Sequence, residues 1–225
     1  MSQVCFFSRP EMKEFIRLYQ DFLLLDGTHK TNVYDLRLMP LAVVDCLGYT
    51  MPVGVLLAPS ESTDAVQLLF ETLGIEDNPE YCVMTEEGAA FVSYCSGLQR
   101  SHLLCTHHFR MKAMEVSGMP AEVKTSFLTE VSFFLYFLWK TINSESEFNQ
   151  NFQTFKDTYS IYSSASKFIA KLEENKRTVI AYYTQNVFTA GAFTTQRSES
   201  LNAMLKLWGE LKKSMTSWNL VEIIQ

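Results

Sequence analysis

The order of apolar runs along this chain predicts an α/β fold. It would consist of a mixed five-stranded sheet with flanking helices and an all-helical insertion before the last helix. Three observations carry the prediction. Two apolar runs, strongest at Leu41-Ala42-Val43-Val44 and from Met51 to Leu57, are joined by the turn Asp45-Cys46-Leu47-Gly48, which spells an antiparallel hairpin. Beyond the hairpin, helical and strand patterns alternate, which puts helices on both faces of a sheet. From about Phe109 to Tyr183 the strand signal stops, and only helical periodicity rich in aromatic residues remains.

The elements follow in order. Ser8-Arg9-Pro10-Glu11 opens a helix, with Ser8 as its cap, Pro10 in its first turn and Glu11 at the position of a capping-box acid. Phe15, Ile16, Leu18 and Tyr19 give this helix its apolar side. The first strand runs from Phe22 to Leu25 and ends at Asp26-Gly27-Thr28. The second spans Asn32 to Val44, with Pro40 marking an edge or a bulge. The third is Met51 to Leu57. Ser62 caps a helix whose apolar side is Val66, Leu69, Phe70 and Leu73, and Gly74 stops it. Tyr81 to Met84 is strand four, Gly88 to Leu98 a helix, and His102 to Cys105 strand five. This order is that of the ribonuclease H-like fold.

In the insertion, Pro120 starts a helix carrying Val123, Phe127, Val131, Phe134 and Leu138, and Glu147 to Tyr159 and Ser166 to Tyr183 read as two more. The aromatic residues there read as a helical core rather than as a base-stacking surface. A closing helix begins near Thr195 or Ser198, with Leu201, Met204, Leu205, Trp208 and Leu211 as its buried stripe and Glu199, Asn202 and Lys206 on another face. The expected divisions are a first part of the core at 1–108, the helical insertion at 109–190 and the closing helix at 191–225. The sequence stops within a helical pattern, Val221-Glu222-Ile223-Ile224-Gln225, as a fragment of a longer protein would.

Composition narrows the classes. With 225 residues, 47% hydrophobic and 20% charged, the chain can bury a sizeable core. Its net charge of -6 counts against a free-standing DNA-binding module, which is usually basic. The local basic groups, Lys206, Lys212 and Lys213 or Arg110 and Lys112, read first as solvated helix faces. No apolar run reaches a bilayer span; the nearest, Val131 to Trp139, contains Ser132 and is too short. No signal-peptide layout opens the chain. The five cysteines are scattered and odd in number, which points to a reducing, intracellular compartment.

The chemistry-bearing residues are acids placed just past strands. Asp26 follows Phe22-Leu23-Leu24-Leu25, and Glu86 follows Tyr81-Cys82-Val83-Met84-Thr85. Glu199 lies in the polar string Thr194-Thr195-Gln196-Arg197-Ser198-Glu199-Ser200-Leu201-Asn202. A cluster of three carboxylates of this kind holds divalent metals for phosphoryl transfer on nucleic acid. Each acid also has a structural alternative: Asp26 could cap the loop after it, Glu86 the helix near Gly88, and Glu199 the first turn of its own helix. Arg197 could pair with one of the carboxylates. Cys105-Thr106-His107-His108 contains a Cys-x-x-His half-site, but tetrahedral zinc needs four ligands and no second pair of standard spacing exists. A buried Cys with a hydrogen-bonded His, or a direct role of His108 beside the acids, are the other readings.

Together, Leu25-Asp26-Gly27-Thr28-His29-Lys30-Thr31-Asn32, Thr85-Glu86 with Ala89 and Ala90, Cys105-Thr106-His107-His108 and Thr195-Gln196-Arg197-Ser198-Glu199-Ser200-Leu201-Asn202 resemble the Mutator-like element (MULE) transposase domain. Its relatives include far-red-impaired-response-type and SWIM zinc-finger proteins. The resemblance runs from about Asp21 to Lys213. It implies a DDE-type core with Asp26, Glu86 and Glu199 as the catalytic, metal-holding acids for Mg2+ or Mn2+, and with His108, Asn202 and Arg197 as accessory residues. It also implies a nuclear protein that reaches DNA through regions outside this chain, with protein partners or a homodimer possible and no membrane. The family pattern usually has aspartate where Glu86 stands. One extra methylene is a large change for magnesium, which demands near-ideal octahedral geometry. The expectation is therefore a domesticated, catalytically impaired domain serving as a DNA-associated or protein-interaction module, with an active two-metal strand transferase as the alternative.

Overall fold

The computed structural model describes residues 4–27, 36–137 and 141–192. Its sheet has six strands: β1 (Cys5–Phe7), β2 (Phe22–Leu25), β3 (Arg37–Val44), β4 (Thr50–Ala58), β5 (Cys82–Thr85) and β6 (Ser101–Leu104), in the spatial order β1-β4-β3-β2-β5-β6. The expected five strands are thus one too few. β1 is a three-residue strand, too short to show a period, and it pairs antiparallel with β4 through Phe6↔Leu56.

β3 is antiparallel to both β4 and β2, whereas β2 and β5 are parallel. Hence β4, β2 and β5 all point the same way. All four residues of β2 and all four of β5 are buried. Such unbroken apolar runs belong to strands covered on both faces.

Pro40 does not mark an edge, because β3 lies between β4 and β2. A register irregularity does occur beside it, between Leu41 and Ala42. The pairing with β2 ends at Leu25↔Leu41, so Pro40 sits one residue past that ladder, where its missing N–H costs least.

By their contacts the described residues form two compact units, one from Met1–His102 with Phe188–Gln225, the other from Leu103–Val187. In the first unit, α1 (Pro10–Tyr19) begins with Pro10 at its first position. Ser8 is not its cap: the Ser8 hydroxyl donates to Val53 O at 2.9 Å, so it ties the chain to β4 instead. α2 (Thr63–Leu73) is capped as expected. Ser62 Oγ accepts from Ala65 N–H at 3.2 Å, and Gly74 ends the helix at φ 66°, a left-handed conformation that glycine adopts without strain. α3 (Ala89–Cys95) is shorter than its predicted span. The core of this unit joins Leu23, Leu25, Val43, Val83, Leu69, Phe70 and Phe91. Buried Arg100 fastens its rim: the guanidinium donates to Gln20 O at 3.5 Å and to Glu76 O, and lies 5.7 Å from the Tyr81 ring centre.

The second unit is helical throughout its described residues. It comprises α4 (Thr106–Glu115), α5 (Ala121–Ser132) running into a π-helical turn Phe133–Phe137, α6 (Glu145–Tyr159), α7 (Ser163–Glu174), α8 (Lys176–Val179) and α9 (Ala181–Thr184). The single helix predicted from Ser166 to Tyr183 is broken into three. Asn175 leaves helical geometry at ψ 11°, and Ile180 is extended at φ -80°, ψ 128°. The β-branched run Thr178-Val179-Ile180 favours such a break. The aromatic residues do form a core. Phe127 stacks on Phe155 at 5.7 Å and meets Tyr159 and Phe168 edge-on at 5.0 and 5.8 Å. The Tyr159 hydroxyl is satisfied by Glu130 at 2.7 Å. Among the described residues, no helix is long and apolar enough to cross a membrane.

Each unit carries a stability prediction. Leu23→Ala in β2 should destabilise the first unit by about 2–5 kcal/mol, and Phe127→Ala the second by about 3–5 kcal/mol, since both side chains are fully buried. Urea denaturation followed by circular dichroism measures both losses.

Candidate functional site

The parallel register of β2 and β5 builds the site. Leu25 pairs with Thr85, so Asp26 and Glu86 follow side by side at the carboxyl ends of neighbouring parallel strands. Clefts at such ends are where open α/β sheets bind ligands. Asp26 is 3% exposed. One carboxylate oxygen of Asp26 and one of Glu86 lie within 4.8 Å of each other. Glu86 Oε1 accepts a hydrogen bond from Gly27 N–H at 3.1 Å. A carboxylate thus reaches from the end of β5 to the main chain at the end of β2, a tie absent from the sequence-based alternative of a cap on α3.

A third acid, Glu61, was not singled out in the sequence. It follows β4, and β4 points the same way as β2 and β5, so Glu61 comes to the same edge of the sheet. A side-chain carbon placed on Gly27 would meet Glu61 Oε1 at 2.6 Å and Glu86 Oε1 at 2.9 Å. Gly27 is therefore the floor of a small cradle walled by two carboxylates, which any larger residue would fill. Gly88 faces Glu61 as well, at 3.5 Å from Oε2 by the same measure. The signal that points to Glu61 is an acid just past a strand, the same signal that marks Asp26. It is hidden by Ser62, whose capping role accounts for the neighbourhood.

The donors that Asp26, Glu61 and Glu86 offer are carboxylate oxygens, the ligands preferred by hard cations such as Mg2+ and Mn2+. The residues present fit an ion of that kind. The predicted third acid, Glu199, and its neighbours Arg197 and Asn202 lie outside the described residues, as do residues 28–32 of the first motif.

Beneath the acids runs a buried polar chain. Thr85, fully buried, has its Oγ1 2.7 Å from Glu86 O and 2.9 Å from His102 Nε2. Burial pushes the His102 imidazole down to about 4 from its usual 6.5, so it is neutral at physiological pH. In the sequence His102 reads as the first residue of strand five and as a neighbour of the Cys-x-x-His half-site that adds no second pair of standard spacing.

Cys105 and His108 belong to the second unit. Cys105 is fully buried at the residue before α4, and His108 lies one turn into that helix, half-buried. The thiol and the imidazole stand at the start of one helix, where the sequence showed only the end of strand five and the residues after it. The two buried thiols of the first unit, Cys82 and Cys95, are both pushed up to about 12 by burial. They stay protonated, the form that does not ligate zinc.

The fold and this acidic edge define a ribonuclease H-like α/β domain. Residues 1–81 match the family model described as zinc finger SWIM domain-containing protein 1/3, RNaseH-like domain. The match takes in β1 to β4, Asp26 and Glu61, and stops before β5 and Glu86. No curated protein matches the chain.

His102 makes stability depend on pH in a defined window. Its folded-state pKa lies below its unfolded one, so the unfolded chain takes up the proton first. The stability this burial withholds from the unfolded state is complete above pH 6.5 and is lost as the pH falls to about 4, by roughly 3 kcal/mol in all. His102→Gln should flatten that decline. Urea midpoints measured at both ends of the window check the difference between the two slopes.

Proposed function

We propose that this chain is a transposase-derived domain of the MULE, DDE type that no longer transfers DNA strands. It serves as a DNA-associated or protein-interaction module of a larger nuclear protein. The observation that supports the reading is the bond from Gly27 N–H to Glu86 Oε1. It engages the one acid that departs from the family's aspartate in holding two strand ends together. A match to a SWIM-type ribonuclease H-like model over residues 1–81 agrees with transposase ancestry. The acidic net charge of -6 fits a domain whose contact with DNA is made by other parts of the protein.

Asp26 and Glu86, together with Glu199 by resemblance, would hold a divalent ion. Such an ion supplies Lewis-acid polarisation of a phosphate oxygen and activation of a bound water. The chain's own contribution is positional. Gly27 leaves room for the carboxylates, and its N–H donates to Glu86 Oε1. That same bond restrains the Glu86 carboxylate toward the main chain at the end of β2. The second reading, an active two-metal strand transferase, is favoured by the closeness of the Asp26 and Glu86 oxygens.

A manganese titration and a plasmid-nicking assay separate the two. Native protein should show no Mn2+-dependent nicking. Glu86→Asp, freed from Gly27, should bind Mn2+ at least about tenfold more tightly than native, a gain of about 1.4 kcal/mol, and Asp26→Ala should abolish that binding. Nicking by native protein that disappears in Asp26→Ala would establish the active reading instead.

A further inference from the structure

We propose that Thr85 and His102 act as a positioning pair for Glu86: they lock its main-chain carbonyl and thereby aim its carboxylate at Gly27 and Asp26. The inference rests on the reading of Glu86 as a member of the acidic site, but not on any metal or DNA activity there.

The argument starts from proton counting. A threonine hydroxyl has one hydrogen to give and can accept others. Thr85 Oγ1 donates to Glu86 O at 2.7 Å. Its contact with His102 Nε2 at 2.9 Å must then be one in which the oxygen accepts. The imidazole therefore carries its proton on Nε2. The result is a directed chain, from His102 Nε2–H to the Thr85 hydroxyl to the Glu86 carbonyl, in a place where Thr85 has no exposure at all.

This chain sits where β5 ends. Thr85 is the last residue of β5 and still pairs with Leu25. Glu86 is the first residue off the ladder, and Thr85 holds the Glu86 carbonyl back against its own side chain. Fixing that carbonyl sets the direction in which Glu86 leaves its backbone, and its carboxylate meets Gly27 N–H at 3.1 Å. His102 joins in from the adjacent strand, β6. The aim of an acid at one end of the sheet thus depends on a side chain two strands from Asp26. Removing the Thr85 hydroxyl at constant shape would leave the half-buried Glu86 carbonyl and His102 N–H without their link, and both would seek new partners.

Two nuclear magnetic resonance readouts test this on the native chain without metal. The Gly27 amide proton reports the Glu86 bond through its exchange rate, and long-range nitrogen–proton correlations of His102 report its tautomer. His102 should show the Nε2–H form. Glu86→Ala should accelerate Gly27 exchange and so validate the reporter. Thr85→Val should accelerate it about tenfold or more, the loss expected when a hydrogen bond to a charged group fails. Thr85→Ser, which keeps the hydroxyl, should restore protection, and His102→Gln, which keeps an N–H donor, should retain more of it than His102→Leu.

The amide spectrum of the remaining residues shows whether each variant is folded. Should Thr85→Val unfold, the His102→Gln and His102→Leu pair carries the test. An Nδ1–H tautomer would overturn the proposal. So would Gly27 exchange that is unchanged in folded Thr85→Val, or unchanged in Glu86→Ala. Because no ion is added, a chain inert to Mn2+ still gives a readable answer, and a chain that cleaves DNA does not by itself decide it.

Discussion

The parallel ladder between β2 and β5 is the constraint on which the first unit depends. Four residues from each strand are buried, so the side chains leave little choice of register. A slip of one residue would exchange the two faces of each strand. Once Leu25 is set against Thr85, the next residue of each strand leaves the sheet at the same level, and both happen to be acids. Two carboxylates near each other repel, and a fold tolerates that where something else holds the strands. Here the apolar ladder supplies the hold, and the Gly27 to Glu86 bond turns one of the charges into a tie.

How much of this was legible depends on the kind of signal. Asp26 stands immediately after a continuous apolar run and Glu86 one threonine beyond another, and a strand's end is one of the better marked places in a sequence. Ser62 and Gly74 were legible for the same reason, because capping chemistry is local. β1 was not legible: Cys5-Phe6-Phe7 becomes a strand only because β4 offers it an edge, and three residues cannot show a period. The break at Asn175 and the further break at Ile180 were missed because the apolar spacing continues through both, while the backbone turns. Ser8 was misread as a cap because its hydroxyl bonds to Val53, forty-five positions away in sequence. No local pattern reports such a bond.

Glu61 was hidden for a topological reason. Nothing local says that an acid before a helix cap will stand beside Asp26. That follows only from the direction of β3, which runs against both of its neighbours and so leaves β4 pointing the same way as β2. The hairpin was read correctly from its turn, yet the consequence for the far end of β4 needed the pairing of β3 with β2 as well. His102 was hidden differently. Its role comes from a contact with a threonine on the neighbouring strand, and a histidine at the start of a strand has no sequence mark that separates it from an ordinary half-buried one.

The length of the Glu86 side chain decides what the site is. From the end of β5 the carboxylate must cross to the main chain of β2 to accept from Gly27 N–H, and glutamate does so at 3.1 Å. Aspartate is shorter by one carbon–carbon bond, about 1.5 Å. From the same backbone it would fall short of that N–H and keep its oxygens beside Asp26. Aspartate at this position would therefore favour two acids beside each other, and the glutamate present favours two strand ends held together. Glycine at position 27 serves both arrangements, since a side chain there would displace the oxygens of Glu61 and Glu86 alike. Glutamate rather than aspartate at this position thus changes more than the reach of one carboxylate. It gives the acid a structural bond to the main chain of the neighbouring strand.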